Sequence, residues 1–472
     1  MRKLFEKTAN EVVASLKRAE ITPLDCLDVL EARIAAVDSK VNALPTLCFD
    51  RARKHARELM RKPIAERGIL AGLPVPIKDL IDVAGVRCTQ GSPIFANRIA
   101  EKSDVLVTHL ENNGAIVYAM SNTPEFGAGA NTFNEVFGRT LNPWNTSRSA
   151  AGSSGGAAAA LASGTAWLAH GSDLGGSLRN PASFCGVVGM RPSPGRVAAS
   201  PGKKIDSTLG VEGPMARNVE DLALLFDAMV GQEPSDPISL PGDGTSYLKA
   251  ARSGQKPRRV AVSRDLGITP VDPEVAEIVM KAAQKFEGLG VIVEEAHPDL
   301  HEALECAQVL RALSYAVGKK DLLESHRALL KPEVVWNIEK GLALTVAEIA
   351  TAEAQRSAMF IRTLKFFETY DLLLCPTTIV PPFPVEQRYV THCNGMKFET
   401  YVDWLAIVSA ITNVCCPAIS IAAGFTTEQL PVGIQIIAGP RGEAPLLAGA
   451  KLLEDMLGLA TRVPIDPRPP RV

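Results

Sequence analysis

Aromatic side chains make up only 5% of this chain of 472 residues, and histidine occurs seven times. So thin a supply of rings argues against a surface that stacks nucleic-acid bases. Charge of one sign is also lacking: 50 Lys and Arg stand against 52 Asp and Glu, a net charge of −2. No basic stripe marks a nucleic-acid partner, and no acidic tail marks disorder. The nine cysteines include no Cys-x-x-Cys pair. An odd number spread over a long chain reads as buried free thiols in a reducing compartment. Two early bases, Arg2 and Lys3, are followed by no long apolar run, so no secretory leader is visible and a cytoplasmic location is expected. No His-Glu-x-x-His motif occurs, and His297 and His301, which bracket a polar segment, read as surface residues rather than a metal pair. Nothing in the chain requires a metal or an organic cofactor.

Charge is wholly missing from one segment. The 23 residues from Ala150 to Ser172 contain no Asp, Glu, Lys or Arg, which raises a membrane span. Five glycines, four serines and a threonine interrupt that segment, and its most apolar part, Ala157 to Ala162, is far too short. No membrane partner is expected. A phosphate loop is excluded too, because no Lys-Ser or Lys-Thr follows the glycines. What the segment does contain is two Ser-Gly clusters joined by an Ala-rich stretch: Gly152-Ser153-Ser154-Gly155-Gly156 and Gly175-Gly176-Ser177. Glycines beside a serine let a substrate come close and leave backbone N–H groups free to point at it. A hydroxyl with exposed amides beside it supplies a nucleophile and an oxyanion hole, the minimal parts of acyl transfer. His170 is the histidine best placed for a Ser-His-Asp arrangement, but the base of such a site need not be histidine. Cys185, next to Phe184 and a Gly-Val-Val-Gly run, reads as a buried structural thiol.

Helix and strand signals alternate along the chain. Thr22-Pro23 caps a helix, and a second covers Arg51 to Met60. Leu73 to Asp79 reads as a short strand that its prolines confine to an edge. Ala115 to Met120 and Trp167 to Gly171 read as strands, and Ser177 opens a helical turn. Arg259–Val262, a helix over Pro273 to Leu289 and Val291–Glu295 form a βαβ unit that invites parallel pairing. Helices fill Leu300 to Phe367, and strands return at 372–375, 418–423 and 432–438. The expected fold is α/β: one large domain with a mixed, largely parallel central sheet covered by helices on both faces. Within it, 1–65 is read as a helical segment, 66–230 as the catalytic core, 231–256 as a surface loop, and 257–472 as the rest of the sheet and the pocket helices.

The segment Gly171-Ser172-Asp173-Leu174-Gly175-Gly176-Ser177-Leu178-Arg179-Asn180-Pro181-Ala182, with Phe184 to Gly189 after it and the first serine cluster before it, resembles the amidase signature family, the Ser-Ser-Lys amidases. Gly72-Leu73-Pro74-Val75-Pro76-Ile77-Lys78-Asp79 looks like that family's lysine strand, and Gly213 to Arg217 and Leu430 to Gln435 match as well. The family often has Thr or Ile where Leu174 stands. The resemblance implies that Ser177 is the nucleophile, Ser153 the bridging serine and Lys78 the terminal base. It also implies an oxyanion hole from the backbone N–H groups of Leu174, Gly175, Gly176 and Ser177, with Ser154 as a supporting partner. A lysine accepts a proton only when neutral, so Lys78 must be buried among apolar and hydroxyl neighbours that lower its pKa. Asp173 and Arg179 are expected to pair and fix the nucleophile turn. Phe126, Phe133 and Trp404 are expected to line an apolar pocket for aliphatic or aromatic amides and anilides. The function implied is hydrolysis of a small-molecule carboxamide to an acid and ammonia or an amine. Two alternatives are the catalytic subunit of a tRNA-dependent amidotransferase and a catalytically dead binding protein. The presence of Lys78, Ser153 and Ser177 speaks against the second. A homodimer through the N-terminal helices is left open.

Overall fold

The structure is a computed structural model that describes residues 3–200, 207–242 and 244–470. Arg2, one of the two early bases, and Asp243, inside the expected surface loop, lie outside the described residues. Eight strands form the main sheet, in the order Ile292–Glu295, Arg259–Val262, Leu372–Pro376, Pro431–Ile437, Ala418–Phe425, Val188–Arg191, Val211–Ala216 and Leu168–Asp173. The central strands Leu372–Pro376 and Pro431–Ile437 are buried at every position, so both faces of the sheet are covered.

The sheet is mixed, as expected, but it is not largely parallel. Only Arg259–Val262 pairs in parallel, with Ile292–Glu295 on one side and Leu372–Pro376 on the other. The remaining pairings are antiparallel. The βαβ unit of Arg259–Val262 and Ile292–Glu295 pairs in parallel as expected, but parallel pairing ends at Leu372–Pro376, whose other neighbour runs the opposite way. Ala418–Phe425 and Pro431–Ile437 are joined by a tight turn in which Thr426 N donates to Leu430 O at 2.9 Å, and a connection that short forces antiparallel pairing. Two smaller corrections concern helices. The segment 231–256 is not all loop: Ser246 caps a helix over Tyr247–Ala251, whose Tyr247 ring packs 4.4 Å from Phe226. The helix expected over Pro273 to Leu289 is α-helical only to Ala283 and continues as a 3-10 helix to Leu289.

Lys78 is carried by a second sheet, in which Pro74–Lys78 is the edge strand, parallel to Ile116–Ser121. Pro74 and Pro76 have no N–H to give a ladder, and the register is irregular between Val75 and Ile77, so an edge is where this strand can sit. The Ala-rich helix Gly155–Ser163 is buried along its whole length. Gly156 is required there, since a Cβ would lie 2.3 Å from Asn122 N and 2.6 Å from Ala43 O. That close approach brings the first serine cluster against the lysine strand.

Candidate active site

The two serine clusters and the lysine strand meet at one point. Lys78 is fully buried, and its Nζ lies 2.8 Å from Ser153 Oγ, 2.9 Å from Ser154 Oγ and 3.0 Å from Ser172 Oγ. No carboxylate forms an ion pair with it among the described residues. Burial lowers the Lys78 ammonium from its ordinary 10.5 to about 7, against the opposing pull of the Glu212 and Asp173 carboxylates. A drop of that size represents roughly 5 kcal/mol of bias toward the free amine. Three hydroxyls replace water around the nitrogen without supplying a counter-charge.

His170 takes a different place from the one a Ser-His-Asp arrangement would need. Its Nδ1 accepts the backbone N–H of Lys78 at 3.2 Å, and its Nε2 lies 2.7 Å from Glu212 Oε2. With Nδ1 accepting, the proton sits on Nε2 and is donated to Glu212. The histidine thereby fastens the edge strand to Leu168–Asp173 and leaves Ser177 without an imidazole.

Ser177 is half-buried in the turn between Leu168–Asp173 and the helix Arg179–Cys185. Its carbonyl accepts Ser154 N–H at 3.2 Å, which ties the two serine clusters together. Among the described residues no hydrogen bond joins Ser177 Oγ to Ser153 Oγ, although both hydroxyls border one cavity of about 420 Å³. The backbone amides of Leu174, Gly175 and Ser177 have no hydrogen-bond partner among the described residues. The amide of Gly176 does: it donates to Asp173 Oδ1 at 2.9 Å. Gly176 therefore drops out of the expected oxyanion hole. It serves the turn instead, at a φ of 92°, where a Cβ would lie 2.6 Å from Val408 Cγ2.

Asp173 and Arg179 are both fully buried and form a two-pronged pair, Nε to Oδ2 and Nη2 to Oδ1, each 3.0 Å. Arg191 Nη1 approaches Asp173 Oδ1 at 3.5 Å and donates to the Asp173 carbonyl at 2.7 Å. Leu178 N–H donates to Asp173 Oδ2 at 3.2 Å. Burial pushes the Asp173 carboxyl up, but the two guanidinium groups and the Gly176 amide outweigh it and hold the group well below the usual range.

The pocket differs from the expected one. Phe126 and Leu174 border the cavity, with Leu80 and Tyr315. Phe133 does not: it faces outer grooves, its ring under Lys331 Nζ at 4.3 Å and Arg388 at 4.9 Å. Trp404 does not either. It lies in the 3-10 turn Asp403–Leu405, is 1% exposed, and packs edge-on against Phe383. Aromatic type suggested a pocket role for both, whereas one is held by cations at the surface and the other by the core. The residues missed are Arg311, Ser314 and Tyr315, on the long helix Ala303–His326, and Glu212. That helix lies in the stretch expected to supply pocket helices, but nothing along its sequence singles these side chains out. All nine cysteines are free, and burial pushes the Cys185 thiol far above its ordinary value. Among the described residues no helix is long and apolar enough to cross a membrane, and no group of His, Cys, Asp and Glu is disposed to hold a metal ion.

Lys78 makes stability depend on pH in a definite direction. Its folded pKa of about 7 lies below the ordinary 10.5, so between those values the unfolded chain holds a proton that the folded chain lacks. Stability therefore rises with pH across that window, and the penalty is complete below about 7. Urea unfolding of the protein and of Lys78→Met should show the native protein gaining on the variant from pH 7 to 10. Parallel pH dependences would place the nitrogen in water.

Comparison with known proteins adds to this geometry. A family model described as amidase matches residues 25–447. An acylamidase of Rhodococcus erythropolis is 34% identical over 466 residues, covering 97% of each chain. One subunit of the glutamyl-tRNA(Gln) amidotransferase of Moorella thermoacetica is 34% identical over 483 residues, covering 96% of each. The solved structure of a bacterial aryl acylamidase of the amidase signature enzymes superposes with a TM-score of 0.87 at 27% identity, covering 97% of this chain and 99% of the other. A buried lysine ringed by serines, a glycine turn with unspent amides and these matches lead to one conclusion: the chain belongs to the amidase signature family.

Proposed function

We propose that this chain hydrolyses the C–N bond of a carboxamide, releasing a carboxylic acid and ammonia or an amine, through an acyl-enzyme on Ser177. The observation that carries the proposal is Lys78 Nζ at 2.8 Å from Ser153 Oγ, in a pocket of hydroxyls with no paired acid. Neutral Lys78 takes a proton from Ser153, which takes one from Ser177 as that oxygen adds to the carbonyl carbon. The Ser177–Ser153 hydrogen bond, not formed among the described residues, forms when substrate loads, as catalytic contacts commonly do. The amides of Leu174, Gly175 and Ser177 receive the oxyanion, one such donor contributing about 3 kcal/mol. The relay then delivers the proton to the leaving nitrogen. Water repeats the sequence on the acyl-enzyme and frees the acid. Because nucleophile and oxyanion site serve both bonds, esters are cleaved as well.

The similarity to one component of an amidotransferase favours a second reading, in which the chain releases ammonia from glutamine for a partner assembly. One assay separates the two. The purified chain alone is given aliphatic amides, anilides and glutamine, with release of ammonia or amine followed. Turnover of amides or anilides without a partner supports the stand-alone amidase. Turnover confined to glutamine, and only with a partner present, supports the other.

A further inference from the structure

One charged group in the cavity wall has no counter-ion. Arg311, on the helix Ala303–His326, borders both the main cavity and a small chamber of about 20 Å³ beside Leu174 and Gly175. It thus reaches the flank of the turn that carries the unspent amides. Only neutral groups hold it. Nε donates to Asn337 Oδ1 at 3.2 Å, and Nη2 donates to the hydroxyls of Tyr401 at 2.9 Å and Tyr315 at 3.4 Å. The rings of Tyr315 and Tyr401 lie 5.0 and 5.7 Å from its central carbon. Among the described residues no carboxylate pairs with it, and Nη1 makes no hydrogen bond.

The other guanidinium groups nearby are not left in this state. Arg179 has Asp173, and Arg388 has Glu333. The three acids among the described residues that border the same cavity are already engaged: Asp173 with Arg179, Glu212 with His170, and Asp236 with the backbone N–H groups of Ala199 and Ile238. Arg311 is half-buried, and a guanidinium partly withdrawn from water without an anion carries a desolvation cost that its hydroxyl partners and aromatic faces offset only in part. A guanidinium with one nitrogen unspent is a ready donor to an oxyanion such as a carboxylate.

We propose that Arg311 is the anion-recognising residue of the substrate site, and that the amide cleaved here carries a carboxylate. This rests on the hydrolytic reading above and narrows it to one chemical class. Arg311 receives the carboxylate through Nη1 while Ser177 faces the amide carbon. The neutral clamp of Asn337, Tyr315 and Tyr401 holds the fork in place before substrate arrives, so little ordering remains to be done on binding.

The test uses binding to the Ser177→Ala protein, so that turnover does not enter. Calorimetry compares two matched pairs in which a methyl group replaces the carboxylate, on either side of the amide: succinamate against butyramide, and N-acetyl-β-alanine against N-propylacetamide. The anionic member of at least one pair is expected to bind ~10-fold or more tightly, the scale of one hydrogen bond to a charged partner. Adding Arg311→Met should bring that pair within about twofold, and Arg311→Lys, which keeps the charge but loses the fork, should fall between. Should the methionine variant fail to fold, the lysine variant and the preference of the Ser177→Ala protein carry the comparison. Equal affinity within both pairs, or a preference that survives without Arg311, overturns the proposal. A role limited to fastening the helix would weaken both members of a pair alike. Native protein is assayed in parallel on the 4-nitroanilides of succinic and pentanoic acids. Turnover with no anion preference in binding sinks this inference alone; preference without turnover of any amide sinks the hydrolytic reading alone.

Discussion

Replacing Ser177 by alanine is expected to lower kcat/KM for amide cleavage by about 10⁴-fold or more, with the fold intact. The size follows from what remains. The amides of Leu174, Gly175 and Ser177 stay in place, so a water molecule could still be polarised beside the carbonyl, but no covalent route survives. Lys78→Met should cost a similar factor for a different reason, because Ser177 would then have no acceptor for its proton. The members of such a relay act as one unit, so the double variant should be scarcely worse than either single one. Ser153→Ala breaks the same path at its middle and should fall in the same range. Initial rates at fixed enzyme concentration, with circular dichroism to check folding, measure all four proteins. A Ser177→Ala protein retaining a tenth of native activity would remove the hydroxyl from the chemistry.

Asp173→Asn is expected to destabilise the protein by about 3–5 kcal/mol, the usual cost of removing one member of a buried ion pair. The asparagine would face Arg179 and Arg191, both fully buried, with a neutral amide whose NH2 opposes their own donors. Arg179 would keep Val408 O, Gln435 Oε1 and Thr412 Oγ1 as acceptors, but these carry no charge. The same substitution loosens the Gly176 and Leu178 amides that Asp173 holds, so activity should fall with stability. The folded carboxyl titrates well below its ordinary 3.8, so its contribution is complete above about that pH and is lost as the solution is made more acidic. Urea midpoints at pH 7 read the effect, and a loss under about 1 kcal/mol would show that the pair organises nothing.

The mixed α/β fold was legible in the sequence, and so were the segments that meet around Lys78. Lys78, Ser153, Ser154 and Ser177 stand in short segments whose glycines and prolines have few other uses. The burial that shifts Lys78 was implied by Val75 and Ile77 beside it and by the absence of a nearby acid in the serine clusters. The engagement of the Gly176 amide is not legible, because a sequence does not show that Asp173, three residues earlier, turns its carboxylate back onto it. The rings of Phe133 and Trp404 suit a pocket wall by chemistry alone, and nothing along its helix singles out Arg311. Which side of an element meets a cavity depends on residues far apart in the chain, such as Arg311 and Leu174, which border the same chamber. Strand direction is legible only at the βαβ unit of Arg259–Val262 and Ile292–Glu295, because elsewhere it depends on which strands become neighbours in the sheet.

The central claim is that an uncharged Lys78 removes the proton from Ser177 through Ser153. The most direct measurement is the rate at which a fluorophosphonate labels Ser177 as a function of pH, followed by intact mass. The account predicts that labelling accelerates with pH through a single limb near 7, where the Lys78 ammonium loses its proton. It also predicts that Lys78→Met labels slowly and without that limb. Labelling that rises only toward pH 10, or that is as fast in Lys78→Met as in the native protein, would contradict it.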